Sequence, residues 1–324
     1  MKIYSTYRPV SKPLGGANNF ITTLFKNIER NSGEILFEFN SEVDLVFINQ
    51  LSKGNGRGML SFTKLFYIKI ISKLYKKPIY TRLVNLNSHA FSKGPRYYLF
   101  GFLQDLKTYL LIYISNFVIF QSEYQKSFFI KSAPFFIKNK STRFRVIHNG
   151  ADNLFASNLT RSLRSGDKLI LVSNTFSTRN TKLHSLIAQF SLLPKVEILH
   201  IGNWPSSIKT HKVNLLGVLP KNEIIKVYSK AHYFLHTAIK DPCPNVIFEA
   251  ILNGLPVIFN SDIGSSLELV KENGIALDNS NLLTTINEAF HKYDSLIKIV
   301  NTNKNYYSID RSILEYSNFL RKKI

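Results

Sequence analysis

Residues 240–274 read KDPCPNVIFEAILNGLPVIFNSDIGSSLELVKENG, and the fold is decided there. Asp241 and Glu249 stand with seven residues between them, and Pro242 and Pro244 set an extended approach to a helix that carries Asn245, Ile247, Phe248, Ala250 and Leu252. Asn253 and Gly254 end that helix, with glycine at the left-handed stop. Residues 255–259 are a short apolar run of the kind that makes a buried parallel strand. Gly264, Ser265 and Ser266 then open a further helix. Two loops, 241–245 and 261–266, therefore fall at the carboxyl ends of neighbouring strands, where open α/β sheets bind ligands.

Outward from this stretch the rhythm is α/β throughout. Before it, strands are expected at 169–173, 197–201, 214–216 and 233–236, with helices at 183–190 and 221–229. The first half repeats the rhythm with strands at 2–6, 34–39, 45–49, 78–84, 117–121 and 145–147. Helices lie between them at 18–29, 60–77, 96–114 and 122–130. Residues 153–167 lack periodicity and read as a linker, and residues 308–322 read as an amphipathic terminal helix with Ile309, Ile313, Tyr316 and Leu320 on one stripe. A length of 324 residues suits two such domains, 1–153 and 154–324, the terminal helix packing back toward the first.

The single cysteine, Cys243, excludes an internal disulfide and favours a reducing compartment; with nothing nearby to lower its pKa it reads as a small buried residue. The first ten residues have no apolar h-region, and the most apolar window, 97–121, is interrupted by Asp105 and Lys107, so no membrane-spanning helix is expected. The formal charge of +21 is uneven. Residues 1–150 hold 22 Lys and Arg against 7 Asp and Glu, whereas 151–324 hold 20 against 14. Such a surface attracts the phosphates of nucleic acid, anionic lipid or a diphosphate-linked acceptor.

The pattern of an acid, seven residues, Glu, Ala, a Gly-x-Pro-Val strand, Asp-x-Gly and Glu-Leu-Val with Asn-Gly resembles the donor-sugar signature of glycosyltransferase family 4, as found in bacterial surface-polysaccharide synthesis. The resemblance is sharp over 216–274, moderate over 117–152 and weak elsewhere. It implies the GT-B fold, two Rossmann-like doubly wound parallel-sheet domains facing a cleft. It also implies a retaining transfer from a nucleotide diphosphate sugar, a co-substrate rather than a cofactor, to a glycan or lipid-linked acceptor on the N-terminal side.

The resemblance gives residues roles. Glu249 would grip a ribose diol, and Asp241 would lie near the transferred sugar. The backbone of Cys243, Pro244, Asn245 and Val246, at a helix N-terminus, would face the diphosphate. After the strand at 169–172, SNTFSTRNTK places Lys182, with Arg179 a looser match, where the family neutralises that diphosphate; Ser173-Asn174 stands where the family has Gly-Arg, and Leu183 where it has Gly. Gly15 and Gly16 would form an N-terminal glycine loop. His89, in the loop at 82–91, is the candidate to approach the donor sugar, with Arg82 an alternative. FQSEYQKSF at 120–128 and VIHNGAD at 146–152 match paired family segments but read as helix start and turn. There is no Asp-x-Asp, His/Cys cluster or Walker loop, so no metal is expected.

Two other readings remain. A nucleotide-sugar epimerase of the same fold would need a titratable pair near the sugar. A basic nucleic-acid-binding protein would suit the charge, but no RNA or DNA module is present and nucleic acid is not expected as a partner. A peripheral site on the inner membrane face would suit the Lys-rich helix at 60–77, unless its aromatic residues pack inward on the sheet.

Overall fold

A computed structural model describes residues 1–9, 16–50, 60–85, 95–132, 143–157, 167–175, 177–178 and 181–321. The chain divides into two compact units, one of Met1–Asn149 with Asp310–Ile324 and one of Gly150–Ile309.

The first unit holds a parallel six-stranded sheet. Its strands are β1 (Lys2–Ser5), β2 (Glu34–Leu36), β3 (Leu45–Asn49), β4 (Ile79–Arg82), β5 (Phe117–Phe120) and β6 (Phe144–Val146), in the order β2-β1-β3-β4-β5-β6. β3 (LVFIN) and β4 (IYTR) are buried at every position, as strands covered on both faces must be. The helices are α1 (Gly16–Arg30), α2 (Phe62–Leu74), α3 (Pro95–Ile114) and α4 (Glu123–Ser132). Ser61 caps α2 by accepting from the Lys64 N–H at 3.2 Å, and Leu65, Ile68 and Ile71 form its core face. Ser122 caps α4 in the same way, accepting from Gln125 N–H at 3.0 Å.

Arg82, a candidate for the chemistry in the sequence reading, is fully buried and serves the fold instead. Its Nε donates to Tyr316 Oη (3.1 Å), one terminal nitrogen to Asn49 Oδ1 (3.1 Å), and the other to Gln121 Oε1 (3.1 Å) and Asn149 Oδ1 (3.0 Å). The Phe20 ring lies 4.6 Å below the guanidinium. Asn149 in turn donates to Gln121 at 2.7 Å, so the segment expected to be a plain turn is tied to the start of α4 through buried amides. A guanidinium satisfies four oxygens in fixed directions, which an ammonium cannot.

The final helix of the chain, Ile309–Arg321, spans the junction between the units, and its residues from Asp310 belong to the first. Tyr316 and Leu320 are fully buried, and Phe319 meets Tyr80 and Phe117 edge-on at 5.6 and 5.7 Å. Arg311 and Ser312 donate to the His148 carbonyl at 3.2 and 2.7 Å, which fixes the first turn.

The second unit has the parallel sheet order β12-β11-β10-β7-β8-β9. Its strands are β7 (Leu169–Thr175), β8 (Val196–Gly202), β9 (Val213–Gly217), β10 (Tyr233–His236), β11 (Val257–Phe259) and β12 (Gly274–Ala276). Between them run α5 (Thr181–Phe190), α6 (Lys221–Tyr228), α7 (Asn245–Leu252) and α8 (Ser266–Val270), followed by α9 (Leu282–Asn303). The sequence expectations above include neither β12 nor α9. Asn281 caps α9 by accepting from Leu283 and Thr284, and Ile286, Ala289, Tyr293, Leu296, Ile297 and Val300 pack it on the sheet. The two ends of this unit pair with each other: Ala151 donates to the Tyr307 carbonyl and accepts from Ile309, both at 2.8 Å.

The Arg82 network predicts that Arg82→Lys lowers the stability of the first unit by about 3 kcal/mol, since several buried amide oxygens lose their donor. Tyr316→Phe removes one of those bonds and costs about 1 kcal/mol. Denaturant unfolding followed by circular dichroism measures both, and equal effects from the two changes would contradict the network's hierarchy.

Candidate active site

In the second unit the chain runs outward from β7 through β8 to β9, then returns to lay β10 on the opposite side of β7. β7 and β10 therefore flank the switch point, and ligand sites of doubly wound sheets open at the carboxyl ends of such strands. β7 leads toward α5, and β10 leads into residues 237–244 and α7. Thr237 Oγ1 donates to the Leu183 carbonyl at 3.3 Å, which joins the end of β10 to the start of α5.

Asp241 lies in a loop held from two sides. Its Oδ1 accepts from the Cys243 N–H at 3.0 Å, while its carbonyl accepts from Ser265 N and Oγ at 3.1 and 3.0 Å. Lys240, just before it, adopts a left-handed φ of 59° and donates to the Ile263 carbonyl at 2.7 Å. Gly264 sits at φ 145°, a conformation open to glycine, where it passes over the Lys240–Asp241 backbone. Strain of this kind persists when the surroundings fix it, as the paired loops do here.

α7 starts after Pro244, whose φ of −68° and ψ of 111° give the extended entry that its ring imposes. Ile247, Phe248, Ala250, Ile251 and Leu252 are buried beneath it, so Asn245 and Glu249, one turn apart, share the opposite face and are half-buried. Gly254 follows at φ 86° and stops the helix. Among the described residues the Glu249 carboxylate makes no hydrogen bond or ion pair. Burial pushes its pKa up to about 7, an effect that nearby Lys221 opposes and Asp152 reinforces. Asp241 is pushed up to about 6 by burial, against the pull of the Cys243 N–H. Both groups keep part of their surface open to solvent, and the water that reaches them moderates these shifts.

Around Glu249 stand further polar groups, to which the sequence reading assigned no role in binding. Asn174, near the end of β7, donates to Tyr228 Oη at 3.4 Å, and the Glu249 charge adds to burial in raising the Tyr228 hydroxyl well above its usual range. Lys221 bridges to Asp152 at 2.8 Å. The buried polar atoms without a hydrogen-bond partner among the described residues include Asn174 Oδ1 at the end of β7 and His236 Nε2 at the end of β10. Burial takes the His236 pKa down to about 4, so its ring is neutral. Unsatisfied buried groups are costly, and two of them at adjoining strand ends mark a place that a ligand could complete.

Behind this edge, His184 and His200 both approach the Asn203 carbonyl through Nε2 at 3.3 Å, and Ser173 Oγ lies 2.9 Å from His200 Nδ1. Burial holds His200 near 4, with His184 adding to the effect, so the neutral ring that donates to Asn203 takes its other hydrogen bond from Ser173. Asn203 N–H donates to the Thr175 carbonyl at 3.1 Å, which fixes the last residue of β7.

The remaining expected residues divide as follows. Lys182 is exposed on the first turn of α5, beside the switch point. Cys243 is buried in the core, and its N–H is committed to Asp241, which removes it from the amides available to an anion. Val246 is half-buried in the first turn of α7. Gly16 is the first residue of α1. Gly15, His89 and Arg179 lie outside the described residues. Among the described residues no three His, Cys, Asp or Glu side chains gather into a potential metal-binding group.

The raised carboxylates have a pH signature. Between the ordinary glutamate value of 4.5 and about 7, Glu249 is protonated in the folded chain and ionised in the unfolded one, so stability falls as pH rises through that window. The slope is at most about 1.4 kcal/mol per pH unit. Glu249→Gln therefore raises the melting temperature at pH 8, and the gain disappears below pH 4.5. Scanning calorimetry across that range tests it, and a gain independent of pH would show that the carboxylate is not desolvated.

Residues 166–292 match the family model "Glycosyl transferases group 1". A comparison with curated protein sequences returns no match. Among solved structures the chain is similar to HepE of Anabaena in complex with UDP and glucose, at TM-score 0.68 and 16% identity over 99% of this chain and 100% of that one. It is also similar to sucrose-phosphate synthase from Thermosynechococcus elongatus (TM-score 0.69, 14% identity, 99% and 98% covered). The lipopolysaccharide outer core galactosyltransferase WaaB gives TM-score 0.68 at 11% identity with both chains covered completely. The fold is GT-B, and residues 166–292, which include Lys182, Asp241 and Glu249, match the group 1 glycosyl transferase model.

Proposed function

We propose that the protein is a retaining, metal-independent glycosyltransferase that moves a sugar from a nucleotide diphosphate sugar to a glycan or lipid-linked acceptor. The observation that carries this reading is the half-buried Glu249 carboxylate, without a hydrogen bond or ion pair among the described residues, on the face of α7 at the switch point of a parallel sheet. A carboxylate held this way accepts two hydrogen bonds from a vicinal diol, which is the chemistry of a nucleotide ribose.

In this reading Asp241 approaches the transferred sugar, and Lys182 with the first-turn amides of α7 faces the diphosphate. Arg179, His89, Gly15 and Gly16 are assigned to the donor side by family resemblance alone. In the transfer, the bond from the sugar's anomeric carbon to the phosphate oxygen breaks while the acceptor oxygen bonds to that carbon on the same face. The acceptor proton passes to the leaving diphosphate. Its developing charge is held by Lys182 and helix amides, which supply positive potential where a metal would otherwise be needed. Because HepE structures contain UDP and UDP-glucose, uridine diphosphate sugars are the first donors to test. WaaB and WaaG act in lipopolysaccharide assembly by their descriptions, and we place this chain in surface-polysaccharide synthesis at the cytoplasmic side.

Glu249→Ala and Lys182→Ala are each expected to weaken UDP binding about tenfold or more, because each deletes a charge-assisted contact. Titration calorimetry reads this directly, and an unchanged affinity in both variants removes the donor-site assignment. Binding also requires ionised Glu249, so UDP uptake near pH 6.5 releases protons, seen as a buffer-dependent binding enthalpy. Transfer is expected to persist in EDTA; activity lost on chelation and restored by Mg or Mn overturns the metal-independent mechanism.

A further inference from the structure

Helix α2 is apolar on two faces. Leu65, Ile68 and Ile71 point into the core, yet Phe66, Ile70 and Leu74 form a second stripe, four residues apart, that is 69, 49 and 70% exposed. Its aromatic residues therefore do not pack inward on the sheet: Phe62 and Tyr67 are exposed as well. Cations rim the stripe, with Lys64 Nζ 4.8 Å above the Tyr67 ring and Lys107 of α3 5.2 Å above Phe62. Contiguous apolar surface of this kind marks an interaction site rather than ordinary solvated surface.

Beside the stripe, a cavity of about 620 Å³ is lined by Lys69, Lys73, Lys76 and Lys77, with Asp44 the one acid on its wall. None of the four lysines makes an ion pair among the described residues. The other polar walls are already committed to the fold: Ser72 Oγ donates to the Lys77 carbonyl at 2.6 Å, and Asn116 Oδ1 accepts from Ile79 N–H at 2.9 Å. The Asp44 carboxylate accepts from Lys2 N–H at 2.7 Å. The C-terminus of α2 adds about half a negative charge, which four ammonium groups far outweigh. Lys76 itself takes a left-handed φ of 54° at the turn beyond the helix. The cavity lies where β4 and β5 begin, at the sheet edge opposite the carboxyl ends that carry Asn49 and Arg82.

We propose that this face of the first unit docks on an anionic phospholipid surface, the lysine-lined cavity taking a headgroup phosphate while Phe66, Ile70 and Leu74 enter the interface. The pairing of uncompensated cations with an exposed apolar stripe is what such a surface complements, since phosphate attracts the first and acyl chains accept the second. A soluble anion would use the lysines and leave the stripe in water. This inference does not rest on the transfer reaction.

Co-sedimentation of the full chain with vesicles decides it. Wild-type protein is expected to pellet with phosphatidylglycerol-rich vesicles at low salt, to be released at high salt, and to stay in solution with pure phosphatidylcholine. Each lysine near the surface contributes about fivefold in partitioning, so Lys73→Gln with Lys76→Gln lowers binding about 25-fold. Phe66→Ser with Leu74→Ser also lowers it, and whereas the loss in the lysine pair shrinks as salt rises, this loss does not. All four positions are exposed, and unchanged circular dichroism confirms that the variants fold. Equal binding to phosphatidylcholine, wild type left in the supernatant, or variants that bind as wild type each overturn the proposal. So does capture of RNA or self-association through the same residues without vesicle binding.

Discussion

Taking a carboxylate out of water is costly, and the second unit does so twice within one loop and one helix turn. Asp241 and Glu249 are both raised toward neutrality by burial, and no cation is fully committed to either. The loop around Asp241 is tied down by Ser265, Ile263 and Cys243, the end of β7 by the His200–Asn203 relay, and α7 by an almost continuous apolar underside. That rigidity allows unfavourable charge to persist at a defined place, ready for a partner that supplies hydrogen bonds. Stability given up at such a site is characteristic of binding sites in general.

How legible this was depends on sequence distance. Asp241, Pro244, Glu249 and Gly254 lie within one short stretch, and their spacing alone placed the loop, the helix and its stop. Asn174, Tyr228 and His236 stand on three different elements and meet at the site because β10 returns beside β7. No local pattern announces that. A buried amide and a strand-end histidine look, in a linear reading, like any polar residue that ends a strand. α9 is a different case, since Asn281 and the spacing from Ile286 to Val300 form a cap and an apolar stripe within one continuous stretch.

In the first unit the linear reading placed most strands to within a residue or two, because strands such as LVFIN and FVIF are apolar on both faces. It could not assign Arg82. An arginine at a strand end beside a loop looks functional until Asn49, Gln121, Asn149 and Tyr316, spread over most of the chain, are seen to converge on it. The same limit applies to α2, where an all-round apolar helix with lysines is equally consistent with inward or outward aromatics.

The last helix has a consequence for how the chain is made. Residues 310–321 complete the first unit, and the whole second unit is written between them and the rest of it. During synthesis the second unit, whose own ends zip together at Ala151 and Ser308, has all of its sequence available before the first does. Until the final turn leaves the ribosome, the Arg82 guanidinium lacks Tyr316, and Phe20, Tyr80 and Phe117 lack their aromatic cover. The first unit is thus begun before the second and finished after it, and a chain that stops at residue 309 holds the whole second unit while the core of the first lacks Tyr316 and Phe319.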